Sequence, residues 1–408
     1  MNQPETTISQ GTLRGSHQSG VDSYLGVPFA APPGRFKPPG PPDKWDGVRD
    51  ATRTGPAAPQ PPSRLAEVIG ARTQDQSEDC LSLNIWNPSE PSGRRPVFVF
   101  LHGGGFSSGS GSLDWYDGAA LARRGDLVVV TVNYRLGALG FFRLEQSNVG
   151  LLDQIEALRW VQENIAAFGG DPGAVTVAGQ SAGAISILAM LSGRAADGLF
   201  HRAIVQSAPG GLRPLAPSAA DAIATEFRQA VGTDPYTASV SDILAAQLEL
   251  VRLHPGVIPP YRFVAEEGVV AEDIVLGAGT RGANGVQLLM GTTRDEANAH
   301  GGDPRVTAEL FEEPMHQLAD LLALAGNPAW LYRFDWSPAG NPFGACHCIE
   351  LPFVFGNLDA CRDAPLLAGA DDESLAAMVE VVQPAWISFV HDGNPGWPVA
   401  AVHHLELP

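Results

Sequence analysis

The stretch Val175-Thr176-Val177-Ala178-Gly179-Gln180-Ser181-Ala182-Gly183-Ala184-Ile185 runs a buried-strand pattern into a helix-forming pattern with almost nothing between. Val175–Ala178 reads as a strand and Ala182–Leu191 as a helix, so Gly179-Gln180-Ser181-Ala182-Gly183 must turn the chain very tightly. A serine at the apex of such a turn projects into open space. Side chains two residues before and after it would collide, which explains glycine at 179 and 183. The helix that follows directs its free N–H groups and positive dipole end at the same point.

Outward from this turn the chain alternates strands and helices. Asp153–Phe168 is helical, with Ile155, Leu158, Val161, Ile165 and Phe168 at intervals of three or four, and Gly169-Gly170-Asp171-Pro172 stops it. Leu81–Trp86, Val97–Leu101, Leu127–Asn133, Ala203–Val205, Val286–Met290 and Trp330–Phe334 read as strands. Leu127–Asn133 is nearly all β-branched, as in a strand covered on both faces. This alternation predicts an α/β architecture: a central, mostly parallel, twisted sheet flanked by helices. Residues 1–60, broken by Ala31-Pro32-Pro33-Gly34 and Pro38-Pro39-Gly40-Pro41-Pro42, predict a small N-terminal antiparallel subsheet lying on that body. Neither a repeat nor a linker is visible, so residues 1–408 are expected to form one domain.

Composition narrows the function. With 45 acidic and 26 basic residues the net charge is −19, which excludes a broad basic face for nucleic acid. The 44% hydrophobic content excludes a disordered chain, while 46 glycines and 34 prolines predict many structured loops. The start Met1-Asn2-Gln3-Pro4-Glu5 is polar, and no apolar run is long enough to span a bilayer, so no membrane association is expected. The four cysteines, Cys80, Cys346, Cys348 and Cys361, do not form a disulfide framework and favour a cytoplasmic protein.

A second motif, His102-Gly103-Gly104-Gly105-Phe106, follows the strand Val97–Leu101. Three glycines leave backbone N–H groups uncovered, which suits holding a developing oxyanion. No G-K-[ST] and no G-x-G-x-x-G accompany it, so a phosphate cradle is disfavoured. His102 reads as a structural hydrogen-bonder. A nucleophilic serine needs a base, and the base needs an orienting acid. Among ten histidines, His347 lies on a loop after the late strand Trp330–Phe334, and either Asp295 or Glu296 follows Val286–Met290. The flanking Cys346 and Cys348 have spacing unsuited to zinc, so no metal is expected.

These motifs together resemble the type-B carboxylesterases, the family that includes the cholinesterases, within the α/β-hydrolase fold. The resemblance extends from Tyr24-Leu25-Gly26-Val27-Pro28-Phe29-Ala30 and Gly34-Arg35-Phe36, through Ser77-Glu78-Asp79-Cys80-Leu81-Ser82-Leu83-Asn84 and His102–Phe106, to Asn133-Tyr134-Arg135-Leu136-Gly137 and Phe168–Ala184. It implies Ser181 as nucleophile, Glu296 as the acid, and His347, within His347-Cys348-Ile349-Glu350-Leu351-Pro352-Phe353, as base. It further implies an oxyanion hole from the N–H groups of Gly104, Gly105 and Ala182, a structural ion pair between Arg35 and Glu78, and a buried acid, Glu350, near the triad. With no cysteine upstream of Cys80, the disulfide of many extracellular relatives has no partner here.

The resulting expectation is a serine esterase that hydrolyses small-molecule carboxylic esters through an acyl-enzyme, with no cofactor. Acyl transfer, lactone formation or elimination on the same fold is the alternative, and a catalytically silent binding protein is a further one. Phe106, Trp115 and Phe353 are candidates to line the substrate pocket. The stretch 297–329 is shorter than the helical insertions usual in the family, which predicts a wide pocket mouth.

Overall fold

Val97, Val99 and Leu101 belong to one hydrophobic core, whereas Phe98 and Phe100, between them, belong to a second. The two-residue period of a strand sends alternate side chains to opposite faces, so this segment must lie in a sheet covered on both sides. The same division holds for Val128, Val130 and Val132 against Val129, and for Leu288 and Met290 against Leu289. The computed structural model describes residues 3–31, 34–90, 92–256, 259–399 and 401–407. The Pro32-Pro33 pair of the predicted turn lies outside them.

Among the described residues ten strands form the main sheet, in the spatial order Val402–Leu405, Trp330–Phe334, Gln287–Thr293, Arg202–Gln206, Gly170–Gln180, Arg95–Leu101, Val128–Val132, Ser82–Pro88, Val21–Pro28 and Ser16–Gln18. Neighbours from Val402–Leu405 to Val128–Val132 are parallel, and the remaining three strands join antiparallel. One face is covered by the helices Val149–Asn164 and Ala182–Ser192, the other by Ala119–Gly125, Leu351–Phe355 and Asp372–Asp392. The separate small sheet pairs Glu5–Ile8 with Gly11–Arg14 antiparallel, but Val48–Asp50 adds to Gly11–Arg14 in parallel. It is therefore not purely antiparallel. More than thirty residues connect Gly11–Arg14 to Val48–Asp50, ample for the crossover that parallel pairing needs.

The parallel block matters for chemistry because its carboxyl ends all open on one edge, where the following loops converge. Gln180, Gln206, Thr293 and Phe334 are the last residues of four consecutive strands there.

Candidate active site

Ser181 leaves the strand Gly170–Gln180 with φ 54° and ψ −115° and begins the helix Ala182–Ser192. A non-glycine residue with that φ is strained, and it is held by its N–H donating to Gln206 O at 2.9 Å and its carbonyl accepting from Ile185 N–H at 2.9 Å. The predicted need for glycine on both sides is visible as distance. A Cβ on Gly183 would fall 2.0 Å from Leu101 O, and one on Gly179 2.6 Å from the Gly183 carbonyl carbon.

His347 and Glu296 are both fully buried, and His347 Nδ1 lies 2.5 Å from Glu296 Oε2. The other carboxylate oxygen accepts from Thr293 N–H at 2.8 Å, so Glu296 is oriented by the end of the preceding strand. This geometry separates the two acids that spacing left open. Asp295 turns the other way, accepting from Ala345 N–H at 2.8 Å and pairing with Arg294 at 2.8 Å.

The glycine loop approaches the turn from the neighbouring strand. A Cβ on Gly103 would stand 3.2 Å from Ser181 Cβ. Gly104 has φ 114°, and a Cβ there would fall 2.0 Å from Ser108 O. Gly105 has φ 61°. Ala182 supplies the first N–H of its helix, which has no intrahelical acceptor. His102 is structural: its Nδ1 meets Gly103 O at 2.7 Å, its ring stacks on Tyr134, and burial pushes its pKa down to about 4.

A cavity of about 410 Å³ reaches this corner, lined by Gly103, Gly104, Gln180 and Cys348 together with Pro62, Ile69 and Arg72 among others. The expected pocket aromatics do not line it. Phe106 packs against Phe141 and Phe263 at 4.6 and 4.9 Å, and Phe353 against Phe334 and Trp336 at 5.7 and 5.2 Å. Trp115 is buried beneath Arg72. All three rings are consumed by core packing. The wall comes instead from residues 57–76 and from Leu113 and Tyr116, not from 297–329.

The carboxylesterase family matches this chain over residues 2–300 and 287–403. A para-nitrobenzyl esterase of Bacillus subtilis is 38% identical, covering 96% of this chain and 91% of the relative. A probable N-octanoylanthranilate hydrolase of Rhodococcus erythropolis is 39% identical, covering 96% and 94%. A solved thermophilic PNB esterase superposes with a TM-score of 0.90 at 34% identity, covering all of this chain and 97% of that one. The chain belongs to the carboxylesterase family. It is a carboxylic-ester hydrolase with the α/β-hydrolase fold.

In this carboxylesterase, Arg35 and Glu78 form the bidentate pair that the resemblance implied, at 2.8 and 2.7 Å. Glu350 is fully buried. Its Oε1 accepts from Gln206 Nε2 at 3.2 Å, and among the described residues its Oε2 has no partner. Burial first, and the Glu296 charge second, push its pKa up from 4.5 to about 7. A carboxyl whose pKa is higher folded than unfolded stabilises fully below the unfolded value. That contribution is lost as pH rises through the folded one. Glu350→Gln is therefore expected to be near neutral at pH 5 and stabilising at pH 8, by up to about 3 kcal/mol, a few degrees in Tm for a chain of this size. Thermal melts at the two pH values check this, and an equal shift at both would refute it.

Sequence reading missed three neighbours of His347. Gln180 Nε2 lies 3.1 Å from His347 Nε2. The rings of His300 and Phe311 stand 4.9 and 5.2 Å from the His347 ring. Gln180 was within the quoted motif, and its adjacency to Ser181 was the available signal. His300 follows Glu296 by one helical turn, in the 3₁₀ helix Glu296–His300. Burial, His347 and Arg64 together push its pKa down to about 3, so it adds no charge beside the His347 ring. Thus the stretch 297–329, though short, covers the imidazole through Phe311.

Proposed function

We propose that this enzyme hydrolyses small-molecule carboxylic esters through an acyl-enzyme formed on Ser181. The observation that carries the reading is the buried 2.5 Å contact of His347 with Glu296 on the same sheet edge as the strained Ser181. With Nδ1–H donated to Glu296, the Nε2 lone pair of His347 is free to accept a proton. In the resting enzyme that lone pair meets the Gln180 amide. On substrate binding His347 takes the Ser181 hydroxyl proton as Oγ attacks the ester carbonyl. The N–H groups of Gly104, Gly105 and Ala182 hold the oxyanion. His347 then protonates the departing alcohol. Water, deprotonated by His347, releases the acid and restores Ser181. Glu296 keeps its charge throughout and stabilises the imidazolium.

A cavity of about 410 Å³ is of the size that holds a drug-sized ligand, which favours aryl and branched esters beside short aliphatic ones. Four unpaired buried cysteines favour a cytoplasmic setting. A pre-steady-state burst of nitrophenol equal to the enzyme concentration is expected with nitrophenyl esters when deacylation is slow. A panel of acyl chain lengths, extended to N-octanoylanthranilate, then reads selectivity. Collapse of kcat/KM for every ester larger than acetate would overturn the open-pocket reading. Transfer of the acyl group to an added alcohol, without release of acid, would favour acyl transfer.

A further inference from the structure

Among the described residues that line the cavity, Arg72 is the only Lys, Arg, Asp or Glu. The other titratable groups there, Tyr116 and Cys348, are held neutral by burial. Arg72 sits exposed on the wall formed by residues 57–76 and is fixed from two sides. Its guanidinium carbon lies 5.8 Å from the centroid of the Trp115 ring, and Nη2 donates to Ala360 O at 3.1 Å. Stacking on an aromatic face and one carbonyl contact orient the planar fork while leaving most of its five N–H donors unused.

What Arg72 lacks is a counter-charge. Among the described residues no carboxylate oxygen comes within 4.0 Å of it, in a chain with 45 acidic residues. Glu67 and Asp75 belong to the same stretch but are exposed and outside the lining. A guanidinium without a carboxylate partner, on a cavity wall whose other described lining residues carry no charged side chain, attracts a planar anion, and a carboxylate matches its fork; Arg64, which acts on His300, lies outside that lining. The net charge of −19 repels anions from the molecule at long range, so a local cation is what admits one.

We infer that the preferred esters carry a second, ionised carboxylate, in the acyl or the alcohol part, which pairs with Arg72. This rests on the esterase reading of the same site. Ester cleavage proceeds as described, and the carboxylate takes no part in bond making.

The test compares matched anionic and neutral esters in wild-type enzyme and in Arg72→Gln and Arg72→Glu. Monomethyl adipate against dimethyl adipate places the charge in the acyl part. 4-Acetoxybenzoate against 4-acetoxybenzamide places it in the leaving group. In at least one pair, Arg72→Gln is expected to lower kcat/KM for the anionic ester about tenfold, and Arg72→Glu further, with the neutral ester within about threefold of wild type. Raising salt from about 20 mM to about 500 mM should weaken the wild-type preference and leave the Gln variant indifferent. The neutral ester reports that each variant is folded. If both members of both pairs respond alike to the substitutions, the Arg72 inference is overturned and the esterase reading stands. If the wild-type enzyme cleaves neither member of either pair, the esterase reading falls with it.

Discussion

Ser181→Ala is expected to lower kcat by about 10⁴-fold or more and to leave the fold intact, because nucleophile, base and acid act as a unit. Alanine fits the tight turn as well as serine does. The contacts that hold the turn, Ser181 N–H to Gln206 O and Ile185 N–H to the residue 181 carbonyl, are backbone contacts that the substitution keeps. Residual activity then measures what the oxyanion donors and binding contribute alone. A fluorophosphonate or sulfonyl fluoride should label Ser181 and no other residue, as read by mass spectrometry of the digested protein. An active alanine variant, or a label elsewhere, would remove Ser181 from the mechanism.

The two adjacent acids give the second large effect. Glu296→Gln is expected to lose roughly 10³–10⁴-fold in kcat, by analogy with amide replacement of a triad acid. The glutamine oxygen still accepts from Thr293 N–H, so its NH₂ is left facing His347 Nδ1. The imidazole must then carry its proton on Nε2 and cannot accept the serine proton. Asp295→Asn breaks the Arg294 pair and weakens the contact to Ala345 N–H. It is expected to cost stability and only a few-fold in kcat. Steady-state rates with thermal melts separate the two, and a more damaging Asp295→Asn would move the acid by one residue.

The parallel sheet was legible because buried strands announce themselves locally. Val128–Val132 and Trp330–Phe334 needed only composition and length. The strained turn was legible for a different reason: steric exclusion leaves so few residue types around Ser181 that the pattern is self-identifying. The pairing of His347 with Glu296 was not legible in that way. Residues 296 and 347 meet through tertiary packing alone, and spacing could not separate Glu296 from Asp295. The choice came from resemblance, and the 2.5 Å contact gives it a physical form. The pocket was misread because aromatic residues near a site are claimed first by the core, as Phe106 and Phe353 are. Its real wall, 57–76, is largely irregular chain with no periodicity to read. By contrast, the helix Asp372–Asp392 was passed over although its ends carried signals. The Asp371 side chain accepts from Ser374 N–H at 2.7 Å, and Gly393 closes the helix with φ 72°.

The order of strands in the sheet has a consequence for how the molecule comes to life on the ribosome. Gly170–Gln180 and Gln287–Thr293 are held apart by Arg202–Gln206 and separated by more than a hundred residues of chain. The histidine loop follows later in the chain, and the sheet edge is closed by Val402–Leu405, later again. Contacts of such high sequence separation form late, after loop-closure entropy has been overcome. A nascent chain can therefore carry a well-formed central sheet, with Ser181 already set in its turn, and still lack the imidazole proposed to activate it. Recovery of hydrolysis during refolding should trail recovery of secondary structure, which makes turnover a reporter of the docking of the segments that follow Gln287.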